Sequence, residues 1–245
     1  MTPLADIADR LRGAFIALEG ADGSGKSTQI DRLLKHLASL GLCVCHVREP
    51  GGTAVGEQVR AVLLSTNNEM SPVCEMLLYM ASRAQLVHER IAPALAQGHT
   101  VLADRFVSST LAYQGAGAGL PERDILDVAR VATSGYSPDL IVVFDVDATT
   151  AAQRTRGASP KSAKSAKSTA PGVTLFDDRI EQRGLDFQER VRRSYLDQAA
   201  REPARHLVVD ARGTPDQVWG ALCRGLHEWA SARPPGHLPH PPRRP

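Results

Sequence analysis

"FIALEGADGSGKSTQ", residues 15–29, passes from an apolar run into a glycine-rich turn and then into polar residues that can open a helix. The turn Gly20, Ala21, Asp22, Gly23, Ser24, Gly25, Lys26, Ser27 fits G-x-x-x-x-G-K-[ST], with a strand before it and a helix after it. Glycines let backbone N–H groups turn inward around a polyphosphate. The helix that follows adds free N–H groups and the positive end of its dipole. Lys26 supplies a point charge for the β and γ phosphates, and Ser27, with Thr28 beside it, offers a hydroxyl to Mg²⁺. The stretch is therefore expected to hold a nucleoside triphosphate, ATP with Mg²⁺.

The same strand–turn–helix order recurs along the chain. The runs 14–18, 43–47, 99–103, 140–144 and 206–209 are short, rich in Val and Ile, and mostly apolar without alternation. Strands of that kind belong to a parallel sheet covered on both faces. Helical spacing separates them. It appears in 121–134 (Ile125, Val128, Ala129, Ala132), in 185–200 (Phe187, Val191, Tyr195) and in 214–230 (Val218, Leu222, Leu226, Trp229). The expectation is a doubly wound α/β fold, a five-stranded parallel sheet with helices on both faces, whose ligands sit at the carboxyl ends of the strands.

Composition limits what else the chain can be. It has 245 residues, 42% of them hydrophobic, ample for one sizeable core. The net charge of +2 gives no pointer to nucleic acid or to a membrane surface. No apolar run approaches the ~20 residues of a membrane helix, and the start of the chain does not read as a secretory signal. A cytoplasmic enzyme or switch is expected. Cys43 and Cys45 stand in a C-x-C without a second pair, which reads as buried, reduced thiols instead of a zinc site. One domain is expected over 1–232. A flexible lid spans about 153–181, with a lysine-rich, low-complexity insertion at 158–172, and a disordered proline-rich tail follows at 233–245.

The loop alone does not say what becomes of the phosphate. A guanine switch wants an N-K-x-D run after a later strand, and the sequence has none. The third strand ends in Asp104, placed to hold Mg²⁺, followed at once by Arg105, a fixed bidentate cation. That pairing suits a second, accepting phosphate. "REPGGT" (48–53) ends the second strand, and Tyr79 and Arg83 in "LLYMASRAQL" (77–86) share one helix face, able to stack on a base and bond its edge.

Taken in order, "EGADGSGKST", "REPGGT", "YMASRAQL", "DRFVSSTLAYQG", "SPDLIVVFDV" and "DRIEQRGLDFQERVRRSYL" resemble the bacterial thymidylate kinase family across about 14–230. The resemblance implies transfer of the γ-phosphate of ATP to dTMP, a step of dTTP synthesis, in a homodimer that binds neither nucleic acid nor membrane. It implies that Asp22 approaches the sugar 3′-hydroxyl, and that Asp104 and Arg105 stand between donor and acceptor phosphates. It also implies that Tyr79 stacks on thymine and Arg83 reads its O4, with help from Thr110. Tyr113 then crowds the 2′ position, Gln114 lines the same pocket, and Glu49 and Pro50 shape its floor.

Some members carry a catalytic arginine in the phosphate loop where Gly23 stands here; the others send arginines from the lid. Arg156 matches that lid arginine, with Arg154 and Arg179 as reserves, and Asp178 and Glu181 resemble acids closing over the acceptor. A kinase for another nucleoside monophosphate, or a non-enzymatic nucleotide switch, remains as an alternative.

Overall fold

The structure, a computed structural model, describes residues 4–157 and 184–233, with only the backbone of Arg156 and Gly157. Five strands form one sheet: β1 (Phe15–Glu19), β2 (Val44–Arg48), β3 (Thr100–Asp104), β4 (Leu140–Asp145) and β5 (His206–Asp210). All pairings are parallel, and the order is β2-β3-β1-β4-β5. Each strand lies within a residue or two of its apolar run. The longer helices are α1 (Lys26–Ser39), α2 (Ala54–Leu64), α3 (Pro72–Leu86), α4 (Glu122–Ala132), α5 (Ala148–Gly157), α6 (Gly184–Arg201) and α7 (Pro215–Ser231).

Period-2 alternation splits each inner strand between two cores. Ile16 and Leu18 of β1 face one layer with Leu33 and Leu37 of α1 and Leu222 and Leu226 of α7. Phe15 and Ala17 face the other, with Leu86, Phe106, Val191 and Tyr195. With both faces covered, alternation in polarity disappears, hence the continuous apolar runs. α7 opens on a capping box: Gln217 N donates to Thr214 Oγ1 at 3.3 Å and Thr214 N to Gln217 Oε1 at 2.8 Å.

Two expectations change. Cys43 is exposed and Cys45 only half-buried, because they flank the start of β2, an edge strand with one open side; Cys223 is the buried thiol. Arg233, assigned to the tail by its sequence, packs instead on the ring of Trp229 at 4.4 Å and lies 3.7 Å from Asp139. The insertion at 158–172 and the rest of the tail lie outside the described residues. Among the described residues no helix is long and apolar enough to cross a membrane.

The central place of β1 positions the site. β3 lies on one side of it and β4 on the other, and Leu18 is level with Asp104, which is level with Arg48. The phosphate loop, the Asp104–Arg105 turn and "REPGGT" therefore leave the sheet side by side.

Candidate active site

The phosphate loop is held open by backbone geometry. Gly20, Gly23 and Gly25 all have positive φ, at 145°, 81° and 81°. A Cβ on Gly20 would meet the Phe144 carbonyl oxygen at 2.8 Å, and one on Gly23 would collide with the Ala151 carbonyl of α5. Ser24 is buried inside the loop, and its hydroxyl has no hydrogen-bond partner among the described residues. A loop with no room for a Cβ at Gly20 or Gly23 and with an orphaned polar atom fits a polar ligand such as a polyphosphate.

Lys26, the first residue of α1, is buried and its Nζ donates to Asp104 Oδ1. Burial pushes the Asp104 carboxyl up, but the charges of Lys26 and Arg105 outweigh it and hold the group below the usual range. Ser27 and Asp104 line the same cleft. Among the described residues no cluster of three or more His, Cys, Asp or Glu is ready for a metal. One hydroxyl and one carboxylate make the sparse protein donor set that suits Mg²⁺, which keeps waters and takes phosphate oxygens.

Arg105 has the left-handed φ of 73° and donates through Nη2 to Asp22 Oδ1 at 2.7 Å. Its guanidinium carbon stands 5.2 Å from the ring centre of Tyr113. Beyond it opens a cleft with about 840 Å³ of empty space, its mouth included. Asp22, Lys26, Ser27, Asp104 and Arg105 line one part of it, and Glu49, Pro50, Tyr79, Thr110, Tyr113 and Gln114 are among the residues that line the remainder. The Glu49–Pro50 bond is cis. After the short helix Val107–Thr110 the backbone widens into a π turn, Leu111–Gly117, which carries Tyr113 and Gln114.

Arg83 stands behind the cleft wall. It is 1% exposed, and it donates four hydrogen bonds and makes an ion pair. Nε bonds Glu49 Oε2 at 2.7 Å. Nη1 reaches Thr110 Oγ1 and Met80 Sδ, each at 3.1 Å. Nη2 reaches Glu49 Oε2 at 2.6 Å and the Phe106 carbonyl at 3.1 Å. A base carbonyl has to displace one of these, and the thioether is the weakest acceptor. Burial pushes the Glu49 carboxyl up to about 7 against the pull of Arg83, and Glu49 Oε1 has no hydrogen-bond partner among the described residues. Gln114 is fixed by Glu75, its Nε2 donating to Glu75 Oε1 at 2.6 Å.

Among the reserves, Arg154 donates to the carbonyls of Ala211 and Arg212 at 2.8 and 2.9 Å. The backbone of Arg156 lies in the last turn of α5, and its side chain is outside the description, as are Asp178, Arg179 and Glu181. The sequence reading passed over Glu75, although it precedes Tyr79 and Arg83 at four-residue steps on one helix. It also passed over Arg48 and Arg60, which line the cleft. Glu57 Oε1 accepts from Arg48 at 2.9 Å and from Gly52 N at 2.7 Å, and Arg60 donates to the Pro50 carbonyl at 3.0 Å. The E-x-x-R spacing after "REPGGT" was the signal available.

Comparison with known proteins agrees with this geometry. The family model for thymidylate kinase matches residues 18–219. A thymidylate kinase of Cereibacter sphaeroides is 43% identical over 224 residues, covering 91% of this chain and 98% of that protein. One of Deinococcus radiodurans is 42% identical over 226 residues, 92% of this chain and 99% of that protein. The crystal structure of thymidylate kinase from Ehrlichia chaffeensis matches with a TM-score of 0.67 at 28% identity, over 88% of this chain and 99% of that one. With the match running from β1 into α7, through the phosphate loop, the Asp104–Arg105 turn and the cleft between them, the chain belongs to the thymidylate kinase family.

Proposed function

We propose that this protein transfers the γ-phosphoryl group of ATP to dTMP, giving dTDP and ADP. The observation that carries the reading is the cleft that runs on from the phosphate loop past Asp22 and Arg105, with an aromatic and amide-lined slot at its far end. ATP lies along residues 20–28, and dTMP lies opposite, with its base towards Tyr79, Thr110 and Gln114. Glu49 and Pro50 floor the slot, Tyr113 excludes a 2′-hydroxyl, and Asp22 faces the sugar 3′-hydroxyl.

An oxygen of the monophosphate attacks the γ-phosphorus in line. The bond from that phosphorus to the β–γ bridging oxygen breaks, and ADP leaves with the oxygen. Lys26 and Arg105 hold the charge that spreads over the moving group, and Arg156, brought in from the lid, completes the set. Ser27 and Asp104 would hold Mg²⁺, which would supply neutralising charge to the phosphates when ATP is bound. Asp178 and Glu181 close over the acceptor, and closure keeps water from the γ-phosphate.

The protein acts in the cytoplasm as a homodimer. Val55, Val62, Val73 and Leu77 are about half-exposed on α2 and α3, which pack against each other, and a second copy of the chain covers them. Light scattering tests this part: wild type elutes at twice the chain mass and Leu77→Glu at one.

An ADP-release assay with ATP–Mg²⁺ against dTMP, dUMP, UMP, CMP, AMP and GMP tests the reaction. Turnover that depends on dTMP supports it. Preference for another monophosphate keeps the phosphoryl transfer and discards the base slot, and ATP binding without acceptor-dependent turnover favours a nucleotide switch.

A further inference from the structure

Glu19 ends β1, fully buried, and belongs to no part of the mechanism above. Its Oε1 accepts from Phe106 N at 2.8 Å. Its Oε2 accepts from Ser109 Oγ at 2.6 Å and from Tyr195 OH at 3.1 Å. The two hydroxyl oxygens are 2.8 Å apart. On their far side stands Arg105, whose Nη1 donates to Ser109 Oγ at 3.3 Å and to Tyr195 OH at 3.5 Å. Arg105 N donates to the Leu18 carbonyl at 3.0 Å, one residue before Glu19. Both ends of the strained Arg105–Phe106 turn are thus tied to the last two residues of β1.

Proton counting sets a direction on this network. Burial pushes the Glu19 carboxyl up, while Ser109, Arg105 and Phe106 N pull it down; as a carboxylate Glu19 can only accept, and a guanidinium can only donate. The Ser109 proton goes to Glu19, and the Tyr195 proton goes to Glu19 or to Ser109. Neither hydroxyl has a proton left for the other side, so both present lone pairs to Arg105. Glu19 thereby supplies the buried countercharge to Arg105 at one remove, while Asp22 pairs with Nη2 at the cleft.

We infer that Glu19 is a positioning residue for Arg105, acting through the hydroxyls of Ser109 and Tyr195 to aim the guanidinium into the cleft. The inference rests on the proposed role of Arg105 in holding the acceptor phosphate. Glu19→Gln tests it with almost no change of shape. Phe106 N keeps the amide oxygen on its own side, which turns the amide NH₂ towards the two hydroxyls. Their lone pairs are then drawn from Arg105, and their protons point at it.

The experiment is a double-mutant cycle of Glu19→Gln with Arg105→Lys, reading kcat and, by calorimetry, dTMP and ATP affinity in all four proteins. In the wild-type background Glu19→Gln is expected to lower kcat and dTMP affinity by roughly 10- to 10²-fold, the scale of a misplaced catalytic group, with ATP affinity unchanged. In the Arg105→Lys background the same change is expected to alter dTMP affinity by less than about twofold, because the group it aims is gone. Equal losses in both backgrounds, or none in either, overturn the inference. An Arg105→Lys single variant with wild-type kcat and dTMP affinity overturns the role of Arg105 itself, and is visible before the cycle closes. Tyr195→Phe takes the place of Glu19→Gln if that variant does not fold, with the same coupling to Arg105 expected and its absence decisive against.

Discussion

Asp22 of the phosphate loop and Arg105 after β3 stand 83 residues apart in sequence and 2.7 Å apart in space. The pair joins the donor loop to the acceptor cleft. Asp22 is partly exposed, so the ion pair contributes at most about 1 kcal/mol to folding. Its weight falls on the site. Asp22→Asn is expected to leave the melting temperature nearly unchanged while lowering kcat/KM for dTMP by about 10-fold or more. A fall in stability with unchanged kinetics would contradict this.

Gly23 lies against the backbone of α5 at Ala151. A Cβ at this place would collide with the Ala151 carbonyl oxygen. Gly23→Ala combines that collision with a φ of 81°. It is expected to destabilise by about 1–3 kcal/mol and to weaken ATP binding, measured by urea unfolding and calorimetry. Wild-type values for both would show that α5 gives way freely.

Arg156→Ala is expected to lower kcat by roughly 10²–10³ with small effects on either KM, the signature of a group felt in the transition state. Arg154 is already bound to two carbonyls. Near-wild-type turnover in Arg156→Ala therefore moves the role to Arg179 first.

Tyr79→Ala removes the aromatic face proposed to stack on the base. Loss of one base–aromatic stack corresponds to about 1–3 kcal/mol, so the dTMP KM is expected to rise about 10-fold or more while kcat changes little. An unchanged KM removes the stacking role.

Glu49 links pH to stability. Its folded pKa of about 7 lies above the ordinary 4.5. Between these values the native state holds a proton that the unfolded carboxyl has released. The Glu49 contribution is therefore full below pH 4.5 and is lost as pH rises through 7. The span corresponds to about 3 kcal/mol. Urea unfolding at pH 5 and pH 8 should show most of this difference in wild type and a flatter response in Glu49→Gln, which has no proton to release in this range. Parallel pH dependence in the two proteins would assign the effect to other groups.

The sequence by itself determined the phosphate loop, the five strands and the helices between them. Each is a local matter: turn glycines, a cap such as Thr214, or apolar residues at a period of two or of 3.6. It also marked Asp104, Arg105 and Tyr79 as residues of the right chemistry, and the family resemblance added Gln114. Only the tertiary structure decided which groups answer one another. Tyr195 reaches Glu19 across 176 residues, Ser109 across 90, and Gln114 finds Glu75 across 39. It likewise placed Arg83 behind the cleft wall, and it left Cys43 exposed because β2 is an edge. Burial and hydrogen-bond partners follow from the order β2-β3-β1-β4-β5, which brings distant chain ends to one crevice. Such pairings leave no periodic trace in the chain, because the forces that select them act only after the layers have packed.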